Sequence, residues 1–121
     1  MFVKIGNTDI TPFVQESTYD VNSYDDYEEW KDGNRHIHRE QMRTYVEGSF
    51  DLVFVKQNDL KRFLDLVDEN TTNDLLNVTL YVQNINKNKT CKVFKKLVGT
   101  SDRKINDTYC YKRFTLSLIE R

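Results

Sequence analysis

The chain has 121 residues and a formal net charge of -1, from 18 Lys and Arg against 19 Asp and Glu. That length predicts a single domain over residues 1–121. Near-neutrality argues against a nucleic-acid binder working by bulk charge, which needs a basic footprint. No apolar run approaches the roughly 20 residues of a membrane-spanning helix, so no membrane partner is expected. The start, Met1-Phe-Val-Lys-Ile-Gly-Asn7, lacks the apolar centre and small-residue cleavage site of a signal peptide. The chain is therefore expected to stay in the cytoplasm or leave by lysis or assembly, and the Asn-X-Thr triplets at Asn70, Asn77, Asn88 and Asn106 read as inert.

In chain order, residues 2–5 predict a short strand, Gly6-Asn7 a turn, and Pro12 a bend, since proline cannot donate to a ladder. Residues 13–21 read as extended. Residues 44–55 form the best strand pattern: Val46, Gly48, Phe50, Leu52 and Phe54 face one way, and Glu47, Ser49 and Asp51 the other. The spacing then switches abruptly to helical over residues 59–69. Asn58 is the expected N-cap, and Leu60, Phe63, Leu64 and Val67 make the apolar stripe, with Leu66 at its border. Asn70-Thr-Thr-Asn-Asp74 stops the helix by side-chain competition for the backbone. Strands follow at residues 76–82, 91–98 and 109–118, joined by a turn at 84–88 and a long loop at 99–107. The fold class is α+β and mostly β: an antiparallel sandwich or partly rolled barrel, with one packed helix and a protruding hairpin arm.

The arm, at about residues 20–43, is the most polar region. It is acidic on the way out, with Asp25, Asp26, Glu28 and Glu29, and basic on the way back, with Arg35, Arg39 and Arg43. Asp32-Gly-Asn34 is the turn signal at its tip. Cross-strand ion pairs would support the hairpin modestly. Tyr19, Tyr24, Tyr27 and Trp30 are too many large rings for a solvated loop, and such residues favour interfaces with one dry and one wet end. The protein-interface candidates are thus Asp25, Asp26, Tyr27, Glu28, Glu29, Trp30, Arg35, Arg39 and Arg43.

Catalytic and metal chemistry find weaker footing. His36-Ile-His38 could place two imidazoles on one strand face with Glu40 as a third ligand, but a solvated basic hairpin explains the same residues. The arm carboxylates lack the spacing of a calcium loop and the dry pocket that acid–base work requires. Arg35, Arg39, Arg43 and Tyr45 could clamp a single strand of nucleic acid, but the acidic run beside them opposes it. No phosphate loop, zinc-ribbon spacing or nucleophile elbow is present, so the expectation is a non-enzyme without cofactor or metal. Cys91 and Cys110 read as free and partly buried; a hairpin centred on Thr100-Ser101 would put them opposite each other, where a disulfide is conceivable.

The order of these features resembles small tail-module structural proteins of phages and prophages of Gram-positive bacteria. It rests on Ile10-Thr-Pro12, a variable arm with Asp32-Gly33, and Gly48-Ser-Phe-Asp-Leu-Val-Phe54 leading into Asp59-Leu-Lys-Arg-Phe-Leu64. Val78-Thr-Leu-Tyr-Val82, Lys92-Val-Phe94 and a final Phe114-Thr-Leu-Ser-Leu-Ile-Glu120 complete it. The resemblance implies a β-rich structural subunit that self-assembles, with rings as one form, and docks to other tail proteins. It would sit in the host cytoplasm during assembly and then in the virion. The competing expectation is a phage-encoded binding protein that inhibits a host factor through an acidic, aromatic surface.

Overall fold

The computed structural model describes residues 1–121, apart from the side chains of Gln41, Met42 and Ser101. Eight strands form one antiparallel sheet: β1 (Val3–Ile5), β2 (Thr8–Asp9), β3 (Asp20–Lys31), β4 (Ile37–Lys56), β5 (Thr71–Thr72), β6 (Leu75–Val82), β7 (Lys87–Lys104) and β8 (Tyr109–Glu120). Their spatial order is β2-β1-β6-β7-β8-β4-β3, with β5 added alongside β6. The expected α+β, mostly-β class with one packed helix is what forms, and the sheet is not closed into a barrel.

The sheet buries one face because its strands carry apolar residues there at period two. Val46, Phe50, Leu52 and Phe54 of β4 are buried, as are Val78, Leu80 and Val82 of β6 and Phe114, Leu116 and Leu118 of β8. These side chains share one core with Val3, Ile5, Ile10 and Val21. The root of β3 closes onto the turn Gln83–Ile85 after β6. There the Gln83 side chain accepts from Val21 N–H at 3.1 Å and donates to Tyr19 C=O at 3.2 Å. The Asn84 amide accepts from Ser23 N–H at 2.8 Å and donates to Ser23 C=O at 2.7 Å. Two side-chain amides thus take the place of a strand along this stretch of edge.

The helix α1 (Gln57–Glu69) follows β4 without a loop. Its stripe closes the core: the Phe63 ring lies 4.8 Å from that of Phe54 and 5.8 Å from that of Phe114. Leu60 and Leu66 pack beside Phe63 and Val67, whereas Leu64 is exposed, so the stripe is centred one residue away from the expected line. Asn58 is not the cap. Lys56 occupies that position with no side-chain cap bond, and Gln57 N–H donates instead to Thr108 C=O at 3.0 Å. A tertiary acceptor from the turn between β7 and β8 makes a local cap unnecessary. At the other end the Asn70 amide donates to Leu66 C=O and the Thr71 hydroxyl to Val67 C=O, the side-chain competition expected there.

Three expectations about the chain's course are corrected. Residues 15–18 are not simply extended; they include the short helical turn Glu16–Thr18 and lie along the edge of β4, where Thr18 Oγ1 accepts from Asp51 N–H at 2.9 Å. Residues 99–104 are not loop, since β7 pairs with β8 as far as Lys104 opposite Cys110, leaving 105–108 as the connection. The hairpin is therefore not centred on Thr100-Ser101. Cys91 pairs in register with Val78, far from Cys110, and both cysteines are free and buried, so no disulfide joins them. Burial pushes the Cys91 thiol up to about 11.

Candidate docking arm

Beyond Val46 the sheet is reduced to two strands, because β8 meets β4 only from Glu47 onward. What remains is a ribbon of β3 and β4, about 26 Å long at roughly 3.3 Å per residue. Its turn is tied by Asp32, whose carboxylate accepts from Asn34 N–H at 2.9 Å and His36 N–H at 3.0 Å, while Arg35 takes a left-handed φ of 63°. Asp32 also meets His38 Nε2 at 2.9 Å. That contact first, and the backbone donors after it, hold the Asp32 carboxyl below its ordinary value.

The register gives the ribbon two chemically distinct faces. One continues the core side of the sheet. On it Tyr27 donates to Asp25 at 3.0 Å, Arg39 lies 3.7 Å over the Tyr27 ring, and Arg39 Nε stands 3.2 Å from Glu29. Thr44 donates to Asp25 at 3.0 Å. The Asp25 bond raises the Tyr27 phenol above its ordinary value. The other face carries Tyr24 beside Tyr45 at 5.8 Å, Arg43 at 5.0 Å over Tyr45 and 4.0 Å from Asp26, and Trp30 stacked on His38 at 5.5 Å. Glu28 and Glu40 are paired directly on this face. A register shift opposite Asp26 and Tyr27 bends the ribbon midway.

All nine interface candidates fall in this arm. Arg39 and Arg43 have partners within their own hairpin, in Glu29 and Asp26, and Arg35 sits at the tip. Tyr24, Tyr27 and Trp30 remain 40–47% exposed. Tyr19 does not belong with them. It is buried against Phe50, ring to ring at 5.4 Å, and donates its hydroxyl to Tyr81 C=O. Burial, the larger influence, raises its phenol far above the ordinary value. His36 and His38 both approach Asp32, and among the described residues no three metal-ligating groups converge.

One polar cluster escaped the sequence reading. Asp51 is buried on the outer side of β4, where its carboxylate accepts from Arg113 Nε at 3.0 Å, from Arg113 Nη2, and from Thr115 Oγ1 at 2.8 Å. Its main chain also receives Gln15 N–H at 2.9 Å. Arg113 first of all holds the Asp51 carboxyl below its ordinary range. The alternating pattern marks Asp51 as outward-facing, but its meeting with Arg113 and Thr115 depends on the register between β4 and β8, a tertiary event without a sequence signal.

Among the described residues no helix is long and apolar enough to cross a membrane. Comparison of the chain with protein-family models, curated proteins and solved structures finds no match.

Proposed function

We propose that this protein is a non-enzymatic structural subunit of a phage or prophage tail, working by self-assembly and by docking to neighbouring tail proteins. The observation that carries the reading is the arm: two strands leave the body and hold Tyr24, Tyr27 and Trp30 in solvent, where an interface would cover them. The resemblance of the chain's order of motifs to small tail-module proteins supplies the setting. A hairpin with little core of its own gains most by being covered, because isolated two-stranded ribbons are marginal in water.

The test has two parts. Electron microscopy of the purified protein, alone and with the products of its neighbouring genes, should show rings or larger assemblies containing the chain. Replacing the exposed rings Tyr24 and Trp30 together by Ser should abolish them while leaving the thermal unfolding of the body unchanged. A chain absent from purified tail particles and from every assembly with those gene products would sink the reading.

A further inference from the structure

The arm's backbone turns alternate residues' hydrogen-bonding groups away from the hairpin, in a defined direction. At the root of β3, the Val21 and Ser23 N–H groups point away from β4, to Gln83 and Asn84. Period two carries that direction along β3 to Tyr27, Glu29 and Lys31. The even-numbered side agrees, since Asp32 N–H donates across the hairpin to His36 C=O at 3.0 Å. On β4, Val46 N–H points away from β3 and is taken by Glu120 Oε1 at 3.0 Å. Farther out, Ile37 and Arg39 stand opposite Lys31 and Glu29, so their N–H and C=O groups also point outward, on the far edge of the ribbon. Side chains of the body therefore guard both edges at the root, and farther out Tyr27, Glu29 and Lys31 on β3 and Ile37 and Arg39 on β4 present an outward ladder on each edge.

The two edges carry opposite charge. Asp25, Asp26, Glu28 and Glu29 outnumber Lys31 on the outer part of β3, and Arg39 and Arg43 outnumber Glu40 on that of β4, with His36 just before it and His38 within it. Pairing β3 with the β3 of another copy would set carboxylates against carboxylates, which is destabilising. Pairing β3 with another copy's β4 alternates the sign from strand to strand and keeps every junction antiparallel.

We propose that arms add edge to edge, the β3 edge of one copy along the β4 edge of a second copy, building a continuous antiparallel ribbon. The proposal rests on the assembly reading above and names the partner and the contact. Because the two edges differ, the interface is head to tail, and repetition closes a ring or extends a filament. It also turns a two-stranded ribbon into a sheet of four or more strands, the range in which β structure stands on its own.

The experiment uses proline, which removes one N–H and leaves the rest of a ladder intact when that N–H points outward. Glu29→Pro blocks the β3 edge and Arg39→Pro the β4 edge; Glu29→Gln removes the same charge as the first variant but keeps its N–H. Sedimentation across a concentration series should show Glu29→Pro associating at least about tenfold more weakly than Glu29→Gln. Mixing Glu29→Pro with Arg39→Pro should restore 1:1 dimers, since each variant keeps the edge that the other lacks. That restoration also shows that both arms fold. Equal association of Glu29→Pro and Glu29→Gln, or a mixture that stays monomeric, would overturn edge pairing. So would a wild-type chain that is monomeric alone and enters tails only on an extended segment of another protein. In each of those cases the chain's presence in tail particles still decides the functional reading separately.

Discussion

Glu28 and Glu40 stand opposite each other across the arm, between the Asp26–Arg43 pair and the Trp30–His38 stack. Like charges at directly opposed positions oppose ribbon closure. Glu40→Lys converts the repulsion into an attraction. Amide exchange within residues 24–45 should slow by about twofold to fivefold, with the thermal midpoint of the body unmoved. Faster exchange in the variant would mean that Glu40 has a role the register does not reveal.

Asp51 gives the body an acid-sensitive joint. Its folded-state pKa lies below the unfolded value of about 3.9, because Arg113 and Thr115 bond to the charged form. The stability it contributes is fully present above that unfolded value. It is lost as pH falls through the depressed folded value. Asp51→Asn should therefore cost about 1–3 kcal/mol at neutral pH. The difference from wild type should shrink below about pH 4. Urea unfolding of both proteins down a pH series checks this; a gap that stays constant into acid would show that the carboxylate's charge is not what matters.

The body was legible in the sequence wherever burial follows a local period. Alternation placed Val46, Phe50, Leu52 and Phe54 on the buried face, and the 3.6-residue spacing found Phe63 and Val67. The arm was legible through its charge reversal and the Asp32-Gly33 turn. What failed depended on contacts distant in sequence. Asn58 looked like a cap because Thr108 could not be seen beside Gln57. Leu64 looked inward because a stripe's centre is set by what it packs on. Residues 99–104 looked like loop because a polar strand edge resembles one until its partner β8 is known. In the arm, composition gave the candidates, but the division into two faces needed the register and its shift opposite Asp26.

Gly48 sits at the arm's root, in register with Val21 of β3 and Leu118 of β8. A Cβ there would lie 2.1 Å from Asp20 O and 2.6 Å from Val21 Cα. Both obstacles are backbone, so no side-chain rotation relieves them. Gly48→Ala should destabilise by about 1–3 kcal/mol, the range of an overpacked core. The chemical-shift changes should concentrate at residues 19–23. A variant as stable as wild type would mean that β3 can move off β4 at its root without cost.

Gln83 and Asn84 make the last prediction, because they decide where the arm begins. Their amides satisfy β3 at Tyr19, Val21 and Ser23 as a neighbouring strand would, and so withhold that stretch of edge from any partner. Replacing both by Ala leaves two N–H and two C=O groups to solvent. The root of β3 should then exchange its amides faster, at a cost of about 1–3 kcal/mol in the stability of the body. The same change lengthens the open edge toward the body. If arms pair edge to edge, the double variant should associate in altered register or with lower order, visible as a change in particle size by sedimentation. Loss of stability with assembly untouched would separate the two roles, leaving the amides as a seam of the fold and no boundary of the interface.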